Sequence, residues 1–495
     1  RISLSNNDSG TDNTVFGFLA GANLASGGLS NTLVGDYAGN ALTVSDYNVA
    51  IGAEALYRAT TQSDGNVAIG FASMGGNFTT ADVNSCVAVG RDSLQGTLTS
   101  AASGSVAIGF EAGKAITAST NSRENTLIGN NAGKAMTIGD GSVAVGAFAL
   151  DAEVAGNSSV AIGYEALTAQ TSAGDTDIHN VAVGFKAGTA VTSGVKNTII
   201  GSEAGDSLTT SSGNVVMGYQ ALNTATTASD YNVAIGYQAM QGGHTTADVD
   251  SCVIIGANAV SVGALTADAA GTVAIGKQAL NALTSGERNI AIGFQAMDAL
   301  PDGDDNIAIG YGALTDASTS ATAKNVAIGS YAMENLNANG ASNVAIGYKA
   351  LETANSNDID GNVAIGAECM DGIGSAGVWG STGVGTSVMS GAMTAASQGA
   401  VGVGYYALSA LTSGTTSTAV GYNALKEHTT GNSNTAIGYG AMDETGSGNN
   451  SSQNTAVGAN AMGGDWGNTS EQNTAVGSGA LSGVLNGANG NVVVG

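Results

Sequence analysis

Residues able to do chemistry are few and scattered. The three histidines, His179, His244 and His428, stand in separate loop-like segments, so no Ser/His/Asp or other histidine-centred acid–base set gathers in the sequence. The three cysteines, Cys86, Cys252 and Cys369, form no CxxC pair and have no histidine at metal-ligand spacing, which argues against a disulfide scaffold and a zinc site. Carboxylates are plentiful but lie in linking segments (Asp8, Asp46, Asp64, Asp82, Asp175, Asp177, Asp302, Asp304, Asp305), where a glycosidase-type pair would be a chance encounter. The glycine-rich stretches hold no Walker lysine, no GxGxxG strand-to-helix unit and no GGxGxD calcium motif. The chain is therefore expected not to be an enzyme, with no catalytic set, no cofactor and no metal site.

Three residue types recur at fixed spacing instead. A glycine, as at Gly52, Gly70, Gly163, Gly236, Gly293, Gly347 and Gly438, marks a backbone position needing positive φ or close approach, such as a corner of a coil. Four residues earlier stands Asn in 18 copies and Ser in five, including Asn48, Asn66, Asn232, Asn289, Asn306, Asn343 and Asn434. A short amide there can bond local backbone or stack on its copy in the next coil, which predicts a structural Asn ladder. Directly after the glycine, Phe71, Tyr164, Tyr219, Tyr237, Tyr348 and Tyr405 belong to an aromatic stripe, read either as packing or as a platform for glycans.

The element that positions these columns is a short repeat, Asn-x-Ala-Ile-Gly-x-x-Ala-Leu, as in NVAIGAEAL from Asn48 and NIAIGFQAM from Asn289. Its glycine occurs 27 times from Gly17 to Gly495; the 26 intervals cover 478 residues, a mean period of 18.4, with spacings of 17 to 21. Before the glycine, β-branched residues alternate with small ones, mostly Ala, which reads as a strand covered on both faces. The Ala and Leu or Met after the glycine read as a second short apolar segment.

Two strands and two turns per unit describe one coil of a parallel β-roll. The fold class is thus all-β, a parallel β-solenoid of about 27 coils with a period of about 18 residues. Residues 1–495 read as one continuous array without a separate globular domain, extending roughly 125 Å at the usual strand spacing. Coils are interchangeable: TTADVNSC (79–86) recurs as TTADVDSC (245–252), and SDYNVAIG (45–52) as SDYNVAIG (229–236), at offsets that differ by one coil. This makes Cys86 and Cys252 copies of one position, and Cys369 the replacement of a small buried Ala. So small a coil, with Ala along one strand face, suggests several chains side by side, with a homotrimer as the expected partner arrangement.

Composition supports a folded array with a thin core: 76 Gly, one Pro, 43% hydrophobic, 11% charged and 5% aromatic residues. A formal charge of −26 repels phosphate backbones and anionic bilayers, so nucleic acid is not an expected partner. No apolar run is long enough for a membrane-spanning helix, so membrane insertion is not expected either. The opening RISLSNNDSG has neither an initiator Met nor a signal pattern and reads as an interior or processed segment.

The Ser/Asn-x-Ala-Ile-Gly-x-x-Ala core resembles the head repeats of trimeric autotransporter adhesins, over essentially the whole chain. The resemblance implies a left-handed parallel β-roll in a trimer. The longer period and the Gly-Tyr-Gln-Ala-Leu/Met form at Gly218 and Gly236 are more similar still to the repeats of marine bacteriophage tail fibres. Host or surface attachment is what that resemblance implies, with an extracellular or virion-surface location and a host glycan or protein as a partner. Three readings follow: a virion fibre shaft, a cell-surface adhesin or matrix filament, and, more weakly, a monomeric solenoid binding a lattice such as ice or a glycan. The Thr residues of the second motif position, such as Thr14, Thr32 and Thr126, are too intermittent for a regular lattice-binding array.

Overall fold

The computed structural model describes residues 12–60, 62–78, 82–117, 124–172, 174, 176–225, 229–242, 248–317, 322–336, 340–353, 359–374, 377–394, 397–444, 450–466, 468–483 and 487–495. The chain divides into two compact units, Arg1–Asp250 and Ser251–Gly495. Each is a parallel β-solenoid. Among its described residues the first unit carries thirteen three-residue strands, from Thr14–Phe16 to Val233–Ile235, and the second fourteen, from Val253–Ile255 to Val492–Val494. Within a unit each strand pairs in parallel with the next at a fixed register, as Val49, Ala50 and Ile51 do with Val67, Ala68 and Ile69, or Ile290, Ala291 and Ile292 with Ile307, Ala308 and Ile309.

Among the described residues each coil contributes one such strand, and a second strand appears only as the two-residue pair Gly156–Asn157 and Thr176–Asp177. The apolar segment after the glycine is a turn: the Ala N–H three residues on bonds back to the glycine carbonyl, as in Ala296 N to Gly293 O at 3.4 Å. The two flanking positions are left-handed although they are not glycine, for example Glu54 and Leu56, or Gln295 and Met297, all with φ between 53° and 58°. Such residues are normally disfavoured there. They persist because the opposite twist aims their amides at the neighbouring coil, as in Leu56 N to Ser73 O at 2.9 Å and Met297 N to Ala313 O at 3.0 Å.

The core of each unit is narrow and lies inside its own coils. A single coil supplies the middle strand residue, the Ala and Leu or Met of the turn, and one further apolar side chain: Ala291, Ala296, Met297 and Leu300, all fully buried. The expectation that the Ala row faces another chain is therefore overturned. In the single-chain structure alanine fills the interior, where only a small side chain fits, and the larger β-branched residues on either side of it point outward.

Candidate functional site

Of the three columns singled out in the sequence, one lies inside beside the strand alanines. The Asn column is the inside one. Asn48 donates from Nδ2 to Asn31 Oδ1 at 3.0 Å and to the Ser63 carbonyl at 2.7 Å, while its own Oδ1 accepts the Asn66 backbone N–H at 3.0 Å and the Asn66 amide at 3.2 Å. Asn66 and Asn232 close onto the carbonyls of Val83 and Val249, and Asn289, Asn306, Asn343 and Asn434 onto those of Gly303, Thr322, Ile359 and Ser451. Every one of these side chains is fully buried and hydrogen-bonded to protein, so the column holds coil to coil and is closed to ligands.

The corner glycines stack backbone on backbone. Gly52, Gly70, Gly163, Gly236, Gly293, Gly347 and Gly438 all have φ between +129° and +144°. A Cβ on Gly293 would overlap the Gly310 carbonyl oxygen of the next coil. Both the torsion and the approach exclude any other residue.

The outward face combines three rows: the two β-branched positions of the strand and the position after the corner glycine. In the first unit Ile51, Ile108, Ile162 and Met217 are 37–41% exposed; in the second Ile309, Ile346, Ile365, Ile437 and Val476 are 36–41% exposed. Phe71, Tyr164, Tyr219, Tyr237, Tyr348 and Tyr405 continue this surface and are about half exposed. Many rings turn their faces on each other: Tyr219 on Tyr237 (5.5 Å between centroids, 21° between planes), Tyr164 on Phe185 (5.6 Å, 12°) and Tyr405 on Tyr422 (5.3 Å, 17°). Tyr348 has the Lys349 ammonium 5.7 Å from its ring centre. A glycan stacks on a ring face, and in these columns the faces are largely occupied by neighbouring rings, leaving edges and hydroxyls outward.

The chemistry-bearing residues stay apart. His428 is buried and His179 is exposed, 4.0 Å from Asp177; His244, like Asp8 and Asp175, lies outside the described residues. Burial pushes the Cys86 thiol up to about 11 and the Cys369 thiol up to about 12, which removes thiolate reactivity at neutral pH. Cys252 is buried at the same coil position as Cys86, its Sγ 3.4 Å from the Ala269 carbonyl. Among the described residues no group of three or more His, Cys, Asp or Glu side chains converges as a metal site. Among the described residues no helix is long and apolar enough to cross a membrane.

A second polar ladder escaped the sequence reading. Six residues before the corner glycine, an Asp, Asn or Ser oxygen accepts the backbone N–H of the same position one coil earlier: Asp64 Oδ1 from Asp46, Asn84 Oδ1 from Asp64, Asp304 Oδ1 from Glu287 and Asn432 Oδ1 from Thr415, at 2.7–2.9 Å. The signal was there, as acids and amides six positions before many of the glycines, but it is interrupted by residues such as Ile178, Val195 and Ala323 and reads as ordinary loop polarity.

The chain matches no family model and no curated protein.

Proposed function

We propose that this chain is the shaft of an oligomeric attachment fibre displayed outside a cell or on a virion, with three copies joined through their β-branched faces. The observation that carries the reading is the outward apolar face. Soluble monomers rarely leave so long a row of Ile and Val partly exposed, and stiff β-branched side chains lose little rotamer freedom when covered. Stacked aromatic columns beside that row extend the surface available for burial. The copy number of three rests on the repeat's likeness to trimeric adhesin head repeats, and the virion setting on its likeness to tail-fibre repeats. A cell-surface adhesin is the second reading, favoured by the Ser/Asn-x-Ala-Ile-Gly core itself.

Light scattering on the full chain tests the assembly. The expected mass is three times the 48.0 kDa chain, and a monomer at 48.0 kDa overturns the reading. The paired change Ile346→Lys and Ile365→Lys is expected to release monomers that keep the far-ultraviolet β signature. Immunogold labelling with an antibody to the chain separates the settings: label on virions supports the fibre, and label on bare cells supports the adhesin.

A further inference from the structure

We propose that the second unit carries a shallow binding site for a neutral pyranose sugar, built on Trp379, Asp360, Ser342 and the glycines Gly361 and Gly380. These residues, with Ala341, line a surface notch of about 650 Å³. The ligand class follows from three observations.

Trp379 stands out in its own column. At the position six before the corner glycine many coils offer an oxygen to the coil before, as Asp360 does by taking the Ala341 N–H on Oδ1 at 2.8 Å, and others hold a small or aliphatic residue, as at Ala323 and Ala341. Trp379 is the one aromatic residue at that position, a large indole left 54% exposed, whereas the chain's other tryptophan, Trp466, is fully buried. A large ring left exposed with no packing gain marks a candidate binding position.

The floor beside the ring is bare. Ala323, Ala341, Asp360 and Trp379 pair in succession as parallel bridges, which flattens this stretch of turns. Gly361 and Gly380 follow with φ of +65° and +68°, and a Cβ on either would meet nothing within 4 Å. A rigid ring can therefore lie against the backbone next to the indole.

The polar groups suit hydroxyls. Oδ2 of Asp360 and the spare lone pair of Oδ1 can accept from vicinal hydroxyls, and Ser342 is exposed to donate or accept. Sugar C–H groups supply the apolar face that an indole takes. The carboxylate and the chain's −26 charge reject anionic sugars. A quaternary ammonium is the weaker candidate, because cation cages use several rings and this notch has one.

The inference extends the attachment reading by placing recognition within the shaft, but it does not depend on copy number. The test uses the full chain and the fluorescence of its two tryptophans. Methyl glucopyranoside, methyl galactopyranoside and methyl mannopyranoside are titrated, with acrylamide as quencher, against wild type, Trp379→Ala and Asp360→Asn. At least one glycoside is expected to give a saturable change and to shield the exposed tryptophan. Trp379→Ala should abolish the response, and Asp360→Asn should weaken binding about tenfold, the usual cost of a lost contact that carries binding. Trp379→Ala is on the surface and should keep the wild-type melting temperature. The inference is overturned if no glycoside saturates, if binding survives Trp379→Ala, or if tetramethylammonium binds and the glycosides do not. Light scattering on the same samples keeps the two readings apart: a monomer that binds sugar sinks the trimer alone, and a trimer that binds none sinks the site alone.

Discussion

Glu153 in the first unit and Asp371 in the second are both withdrawn from water, yet their acidities move in opposite directions. Glu153 is fully buried, in the column where neighbouring coils place Met136 and Gln170. Burial raises its pKa, but the donors around it outweigh that and hold it below the usual carboxylate range. Oε1 accepts the backbone N–H groups of Val154, Ala155 and Gly156 at 2.7–2.9 Å and the Ser172 hydroxyl at 2.6 Å, while Oε2 accepts Gln170 at 2.8 Å. Asp371 lies on the outer side of its turn, where burial first, and then the charges of Glu368 and Glu352, push it up to about 6, with Lys349 opposing. Its Oδ1 is enclosed without a donor among the described residues.

The difference lies in what each position faces. Inside the bend, successive N–H groups converge and make a nest for an anion. On the outside, stacking sets each side chain over its counterpart, so an acid above an acid meets another charge. Glu334, in the same column, is raised by burial and then by Glu352 and Asp316.

The largest break in this comparison is Glu153→Ala, which strips the acceptor from three backbone N–H groups, Ser172 and Gln170. We expect a loss of about 4 kcal/mol, read as faster hydrogen exchange at amides 154–156, with Glu153→Gln costing less. If Glu153→Ala costs no more than Asp371→Ala, the nest explanation fails.

His428 sharpens the contrast, because it occupies the column of Glu153 without a nest. Burial drives its pKa down to about 4, against a smaller raising effect of the Gly431 carbonyl, and its Nε2 lies 3.2 Å from the Asn434 amide. The folded state binds this proton less readily than the unfolded one, so stability should fall as pH drops from about 6.5 towards 4. The total loss is about 3 kcal/mol. Melting of His428→Leu between pH 7 and 4.5 should lack that slope; an unchanged slope would assign it elsewhere.

Asp371 carries the opposite sign. Its raised pKa means the folded state takes up the proton first, so stability is gained as pH falls through 6 and the penalty is present above it. After discounting for partial exposure, Asp371→Asn should gain about 1 kcal/mol at pH 7 and nothing below pH 4, by urea titration at both values. The smallest effect belongs to Lys349, which pairs with Glu352 at 2.8 Å. Lys349→Gln should move the Asp371 and Glu334 titrations further up, as seen by carboxyl chemical shifts, and an unmoved Asp371 would mean that Lys349 does not oppose the burial and neighbouring acids that raise it.

The period, the corner glycine and the buried Asn column were legible because each recurs coil after coil with one residue type. The facing of the strand was not. Ala50 turns inward and Val49 and Ile51 outward, against the rule that larger apolar side chains seek the core, because the coil is too narrow for them. The turn after the glycine misled for a different reason: Leu56 and Met297 sit in a left-handed conformation that their types disfavour, and only the neighbouring coil's carbonyls hold it. Glu153 and Trp379 occur once each in their columns, so repetition gave no signal, and they stand out only once those columns are known; Asp371 follows Glu334 and Glu352 in its column and reads as ordinary turn polarity until stacking brings the acids together.

The Asn column also has a direction. Within each unit the earlier coil supplies the oxygen and the later coil supplies both N–H groups, as Asn306 does to Asn289 and Asn325 to Asn306. A chain made from its N-terminus therefore emerges onto acceptors already in place. Each folded coil is a template whose exposed amide oxygen selects the register of the next, so folding can track synthesis and a misaligned coil meets its penalty before the following one is made.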